Sequence, residues 1–414
     1  MNFYLNKYGF LPPQLEEAPN PDLGICVVIP CYNEPDLIST LDSLENCESP
    51  QSSVEVIVVI NSSETESESV IKQNQQTLNA FNSWNTERKY VYHVIYQPNL
   101  PKKRAGVGLA RKIGMDEAVA RFDALQKDGI IVCFDADATC STNYLQEIEK
   151  HFEQHPQTPG CSIHFEHPID GNEFADEIYE GIINYELHLR YYNQALRYCG
   201  LPYTFHTVGS SMAVRSSAYQ KQGGMNKRKA GEDFYFIHKI IALGGFTDLT
   251  TTTVFPSPRI SDRVPFGTGK AIGDWVKQGT DEFYTYNFES FLEVKKFVDM
   301  LPSFYEHDIS GIQDLHEAFQ LFLANNDFAN RLKEIHQNTT DYPSFQKRFF
   351  VWFDAFLVLK LVHFMRDEGV ENERIISAVN NLCSKSQNIN TDDLSDRADI
   401  LLRFRRLEKS FSYF

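Results

Sequence analysis

The chain is poor in the features that mark specialised protein classes. Its 414 residues include eight cysteines. None falls in a Cys-x-x-Cys pair and several sit in apolar runs, which argues against a disulfide framework or a zinc site and for reduced thiols. Basic charge is scarce. Thirty-nine Lys+Arg face 56 Asp+Glu, a formal net charge of -17, and so acidic a chain would repel a nucleic-acid backbone as its main partner. No apolar run is both long and uncharged. The most apolar, from Phe349 to Met365, is interrupted by Asp354, Lys360 and His363, which makes it a poor membrane span. It reads as a buried helix, or else as a surface helix that docks a membrane or another subunit. The start, MNFYLNKYGFLPPQLEEAP, has no basic stretch leading into an apolar core, so no secretory signal is expected and a cytoplasmic location follows. There is no internal repeat, and no low-complexity tract beyond a short Ser/Glu run.

What is present is a globular composition, 42% hydrophobic and 13% aromatic, enough for two or three domains. Residues 1–24 are rich in Pro and Asn and read as an arm. A strand–helix alternation then begins. Ile25–Pro30, Val54–Ile60, Tyr90–Tyr96 and Gly129–Phe134 are short apolar runs of the kind that form buried strands. Between them, Leu37, Ile38, Leu41 and Leu44 recur at helical spacing. A polar helix runs towards Trp84, and Leu109, Ile113, Val119 and Phe122 mark an amphipathic helix. Ser62–Ser69 reads as a solvated loop, and a helix is expected over Thr142–Phe152. This alternation predicts an α/β fold with an open, mostly parallel sheet, whose ligands sit beyond the carboxyl ends of the strands. A long helix is expected over Phe174–Tyr198. From Asp274 onward the pattern is mostly helical and rich in Phe.

Four constellations carry chemistry. Asp135-Ala136-Asp137 follows the fourth apolar strand. On extended backbone, residues two apart point to one side, so both carboxylates can approach one hard divalent cation. Such an ion neutralises a diphosphate leaving group as its charge develops. The plainer reading is a solvated loop. Gly231-Glu232-Asp233-Phe234 opens an amphipathic helix. Acids at a helix N-terminus offset its dipole, and one of them can serve as a general base. Pro30-Cys31-Tyr32-Asn33-Glu34 follows the first strand, where it flanks a nucleotide or simply turns, with Asn33 capping the next helix. Lys102–Lys112 holds Gly106, Gly108 and Arg111 at a helix start. Such a loop suits approach to a phosphate or forms a basic surface. It is not a dinucleotide fingerprint, because no Gly-x-Gly-x-x-Gly follows the first strand.

Taken in order, these four elements resemble the family 2 glycosyltransferases, over roughly Ile25 to Leu249. The family's first-strand motif is matched by Val28–Glu34, its Gly/Ala-Arg helix start by Gly106–Lys112, its Asp-x-Asp by Asp135 and Asp137, and its Glu-Asp pair by Glu232 and Asp233. Val208–Arg215 followed by Gly223-Gly224 resembles the acceptor-side region. The resemblance implies a GT-A type fold with a helical C-terminal extension. It also implies direct displacement with inversion, a nucleotide-diphosphate sugar donor, and Mg²⁺ or Mn²⁺. Asp233 is then the catalytic base, helped by Glu232. Asp135 and Asp137 hold the metal, with Asp135 also near the donor. Pro30, Tyr32, Glu34, Asn61, Gly106 and Arg111 line the donor site. Many members carry an acidic residue after the second strand. Here Asn61-Ser62-Ser63 stands there, and an amide still hydrogen-bonds a base edge. The Gln-x-x-Arg-Trp signature of processive members is missing, which argues against polymer synthesis.

The expected domains are an arm (1–24), a catalytic domain (25–260) and a helical region (261–414). Arg259 and Arg263, with the small-residue loop Gly267–Lys270, either close over a diphosphate or form a turn between domains. His164, His167 and His206 either complete the metal site or are ordinary polar histidines. The acceptor is an unspecified carbohydrate, lipid-linked or small-molecule hydroxyl, with peripheral membrane contact left open. The alternatives are a nucleotidyltransferase of related fold, disfavoured because Cys31–Glu34 lacks a Gly-rich basic signature, and a non-catalytic scaffold.

Overall fold

The apolar runs become the inner strands of one sheet. In the computed structural model, which describes residues 2–84, 87–263, 267–279, 282–386 and 396–410, β1 (Leu23–Cys31), β2 (Ser53–Ser63), β3 (Val91–Leu100) and β4 (Ile130–Cys133) pair in parallel. Val28 stands between Ile57 and Cys133. Pro30 lies beyond the last rung shared with β4, where its missing N–H is tolerated. The sheet continues through β5 (Ala138–Cys140), β6 (Gly160–Phe165), β7 (Met212–Arg215) and β8 (Thr247–Pro256), in the order β3-β2-β1-β4-β7-β6-β8-β5. Strands β7 and β5 run against their neighbours, so the sheet is mostly parallel, as expected.

Two strands outrun their predicted ends. β2 includes Ser62 and Ser63, which the sequence reading gives to a loop, and β3 continues to Leu100. Polar residues can extend a strand where a neighbouring strand offers ladder partners, and Asn61 and Ser63 pair with Gln97 and Leu100 of β3, beyond the last rung shared with β1.

Helices α1 (Phe3–Tyr8), α2 (Leu37–Glu45), α3 (Glu68–Ser83) and α4 (Val107–Leu125) precede β4, and α5 (Tyr144–Gln154), α6 (Asp176–Tyr198) and α7 (Ser216–Lys221) follow it. The cap of α2 is Asp36, whose side chain accepts from the Ser39 N–H. Asn33, the expected cap, instead takes a left-handed φ of 50° and donates its N–H to Asn74 Oδ1 at 2.8 Å.

Helix α4 departs further from expectation. It is buried on all sides, with Arg111, Lys112, Asp116, Glu117 and Arg121 inside as well as its apolar face. The arm covers part of it. Asp116 accepts from Tyr4 Oη at 2.7 Å, from Tyr219 Oη at 2.8 Å and from the Phe10 N–H at 3.2 Å, and it pairs with Lys112. Glu117 accepts from the Gln14 and Leu15 N–H groups. Gly224, with φ +75°, makes room for Tyr4, since a Cβ there would lie 1.9 Å from the Tyr4 hydroxyl. Deeper in, Arg121 forks onto Glu55.

Two compact units divide the chain. The sheet unit comprises residues 1–175, 207–273 and 408 onward, and the helical unit comprises 176–206 and 274–407. The long helix Asp176–Tyr198 groups with the helical unit. Within that unit, Phe297 is ringed by Phe304, Phe319, Phe328, Phe349 and Phe353 at centroid distances of 5.1 to 5.8 Å, and buried Glu186 takes the guanidinium of Arg405. The Phe349–Met365 stretch is not one helix. It is the end of Tyr342–Trp352 and most of Ala355–Asp367, broken where Asp354 caps the second helix. No helix among the described residues is long and apolar enough to cross a membrane.

Asp116 is the only acid that Lys112 pairs with among the described residues. Removing it leaves a buried ammonium uncompensated and unties the arm. Asp116→Ala is expected to cost about 3–5 kcal/mol, read as a fall in unfolding temperature, together with faster amide hydrogen exchange over residues 3–8.

Candidate functional site

The carboxyl ends of β1 and β4 open where α4 and α8 (Glu232–Ile241) begin. Asp135 and Asp137 do not lie on extended backbone. They occupy a turn between β4 and β5, closed by Ala138 N–H to Asp135 O at 3.2 Å. Helix α2 grips this turn from one side. Thr40 Oγ1 donates to Ala136 O at 2.9 Å, and Ser43 Oγ accepts from the Cys140 N–H at 2.9 Å.

Because the pair is turned, its carboxylates take different partners. Asp135 pairs with Arg111, and the other arm of the same guanidinium pairs with Glu232. Asp137 pairs with Arg259 at 2.6 Å. Arg259 also forks onto Glu34, its Nη1 donating to Oε1 at 2.9 Å, and Arg263 approaches Glu34 Oε2 at 3.4 Å. The result is one string of alternating charge, Glu34–Arg259–Asp137, then Asp135–Arg111–Glu232, with Asp233 next to Glu232 at the start of α8.

Burial shapes the electrostatics. Glu34 is 1% exposed, whereas Asp135 and Asp137 keep 34% and 28% of their side-chain surface. Arg111 is buried, which works against its charge, yet Asp135 and Glu232 hold its pKa above the ordinary value. Arg259 behaves alike, with burial opposed by Glu34 and Asp137. Burial pushes the Glu232 carboxyl up to about 7, against the pull of Arg111. It raises Asp233 too, again opposed by Arg111. Asp137 is raised by desolvation at the base of the turn, although part of its surface faces solvent, and Arg259 pulls the other way.

Glycines make the space. A Cβ on Gly209 would fall 2.4 to 2.7 Å from the Arg111 guanidinium. Gly106 and Gly108 face the 226–229 backbone, and a Cβ on Gly108 would lie 2.4 Å from Arg228 O. Their smallness here admits that segment against α4.

Of the residues singled out in the sequence, the string brings together Glu34, Arg111, Asp135, Asp137 and Glu232, with Asp233 adjoining. Pro30 pairs with Val59 near the end of β1, and Tyr32 follows the strand, its hydroxyl pushed up to about 12 by burial and by Glu66. Asn61 is buried on β2, its carbonyl accepting from Asn74 Nδ2 at 3.0 Å. Gly106 caps α4. His164 lies elsewhere, on β6, with Nε2 3.0 Å from Glu166. The sequence reading saw Arg111 as a phosphate contact and missed it as the counter-ion of two acids. The available signal was a charged residue two positions after Leu109 in a helix about to be buried.

Two observations bear on ligands. Four carboxylate oxygens on Asp135 and Asp137 suit a hard cation, though among the described residues no group of three or more His, Cys, Asp or Glu side chains is assembled to hold a metal. Among the described residues, the buried Nε–H groups of Arg111 and Arg259 have no acceptor, and such orphaned donors suit an oxyanion.

The Glu232 shift has a measurable sign. Its folded value of about 7 lies above the ordinary 4.5, so between those values the native state binds the extra proton. Its contribution to stability is complete below about 4.5 and is lost as pH rises through about 7. Thermal unfolding from pH 4.5 to 7.5 is therefore expected to show a decline in wild type that Glu232→Gln flattens.

Residues 26–223 match the model of glycosyl transferase family 2, and residues 130–325 that of glycosyl transferase family group 2. No curated protein matches. Among solved structures, S. aureus TarS 1-349 in complex with UDP-GlcNAc is 14% identical, covering 94% of this chain and 91% of that one at a TM-score of 0.40. The mannosyltransferase PcManGT from Pyrobaculum calidifontis, in complex with GDP-Man and Mn2+, is also 14% identical, covering 93% and 94% at a TM-score of 0.34. Scores of that size do not establish a common arrangement, and the sequence models decide. Residues 26–223 form a glycosyl transferase family 2 domain.

Proposed function

We propose that the chain transfers a sugar from a nucleotide-diphosphate sugar to an acceptor hydroxyl, with inversion and with dependence on Mg²⁺ or Mn²⁺. The observation that carries this reading is the acid–arginine string at the carboxyl edge of the sheet, ending on buried Glu232 and half-buried Asp233 at a helix N-terminus.

The parts suit the chemistry. Asp135 and Asp137 would hold the cation, which supplies charge neutralisation to the departing diphosphate. Arg111 and Arg259 offer their unpaired Nε–H groups to the same diphosphate. Asp233 takes the proton of the attacking acceptor hydroxyl, and burial makes it a stronger base than an exposed aspartate. Glu232, clamped by Arg111, sets the start of α8 and so the position of Asp233. Pro30, Tyr32, Glu34, Asn61 and Gly106 border the nucleotide. The acceptor is a carbohydrate, lipid-linked or small-molecule hydroxyl.

A thermal-shift screen of UDP-, GDP- and dTDP-sugars with Mn²⁺ identifies the donor, since a ligand of the folded state raises its stability. Asp233→Asn is expected to cut transfer by about 10²–10⁴-fold while leaving the donor-induced shift intact. Full activity in that variant removes Asp233 from the mechanism. Asp135→Asn and Asp137→Asn are expected to lose the manganese-dependent part of the shift. If no nucleotide sugar stabilises the wild-type chain, the scaffold reading takes its place.

A further inference from the structure

Two thiols meet beside the Asp135–Asp137 turn. Cys47 follows α2 and Cys140 ends β5, and their sulfurs stand 3.6 Å apart. They are far apart in sequence and are brought together by the fold. Cys47 is buried, whereas Cys140 keeps partial exposure. Ser43 Oγ lies 3.6 Å from Cys140 Sγ, and the Lys89 ammonium reaches the Cys47 carbonyl at 2.9 Å. The hydrogen bond from Cys140 draws the Cys47 thiol below its ordinary pKa, with burial opposing, and the same contact together with burial pushes the Cys140 thiol well above its own. Five other cysteines contrast with Cys47. Cys26, Cys31, Cys133, Cys161 and Cys199 are buried, and burial pushes each of them up, which makes them inert.

We propose that Cys47 and Cys140 form a peroxide-sensitive dithiol whose disulfide pins the Asp135–Asp137 turn to α2. The Cys47 thiolate attacks hydrogen peroxide, which reaches it past the half-exposed Cys140. The O–O bond breaks, water leaves, and Cys47 becomes a sulfenic acid. Cys140 then gives up its proton and attacks that sulfur, and the S–O bond breaks, its oxygen leaving as a second water with the protons the two thiols gave up. Two electrons pass from the sulfurs to the peroxide. Closing from 3.6 Å to a bond of about 2.05 Å draws β5 towards α2. β5 begins at the residue after Asp137, so the turn is tightened with it. That this reaches donor binding rests on the proposed function above. A pinned turn resists releasing its aspartates from Arg111 and Arg259, so the oxidised form binds the cation and nucleotide less well.

The full chain, treated with hydrogen peroxide under native conditions, is expected to lose two of its eight thiols. Peptide mapping should join Cys47 to Cys140. The unfolding temperature should rise, because the cross-link restricts the unfolded chain, and return with dithiothreitol. Cys47→Ser and Cys140→Ser should show neither effect. A link between other cysteines, over-oxidation of Cys47 or Cys140 without a link, or no thiol loss overturns the dithiol. The thermal shift with UDP and Mn²⁺ should be at least halved in the oxidised form. Equal shifts in both redox forms overturn the coupling to the turn. No shift in either form overturns the donor-site reading instead, and the peptide map alone then decides the dithiol.

Discussion

A guanidinium taken out of water at the mouth of a sheet must keep acids beside it, because an unpaired buried charge is far more costly than a paired one. Arg111 meets that condition with Asp135 on one side and Glu232 on the other. Much else follows from this. The turn after β4 must bring Asp135 within reach of α4. The N-terminus of α8 must reach back to the same helix. Gly209 must lack a side chain where the guanidinium lies. A single cation thus fixes the relative positions of three segments distant in sequence, and those segments carry the metal-type pair and the base-type pair.

The same logic explains a helix that breaks the usual rule. A helix carrying Arg111, Lys112, Asp116, Glu117 and Arg121 is expected to show one polar face to solvent. In α4 every one of these charges is buried. Each has its own partner: Asp135 and Glu232 for Arg111, Tyr4 and Asp116 for Lys112, the arm's N–H groups for Glu117, and Glu55 for Arg121. The polar side of the helix is an inner surface, closed by the arm, by β2 and by the α8 segment.

This locates the boundary of what the residues alone disclose. The strands at Ile25–Pro30, Val54–Ile60 and Gly129–Phe134 are legible because continuous β-branched runs bury on both faces, whereas the polar extension of β2 through Ser62 and Ser63 is not. The opening of α8 was legible because Gly231 and two acids make a helix start whatever lies around it. The acid pair at 135 and 137 was visible as a motif, but its geometry was not. Period-two alternation holds only while the backbone stays extended, and the backbone turns at Ala136. The arm read as a loose end because Pro and Asn dominate it, and nothing local announces that Tyr4 will reach Asp116. Likewise, the break before Ala355 depends on Asp354 capping rather than continuing, a choice that apolar periodicity does not encode.

The charge count of the string bears on how a donor enters. Five carboxylates, Glu34, Asp135, Asp137, Glu232 and Asp233, stand against three guanidiniums, Arg111, Arg259 and Arg263. Five minus three leaves a formal excess of two negative charges. A diphosphate arriving alone would meet that excess, and a divalent cation arriving alone would compete with arginines already seated on both aspartates. Under the proposed function, the two arriving together would exchange partners with the string: Asp135 and Asp137 would hold the cation while guanidinium N–H groups would hold phosphate oxygens, so that no charge is left bare. Cation and donor affinity would therefore be thermodynamically linked. The arginines hold the string together through their Nη groups, which leaves the Nε–H groups turned to a diphosphate.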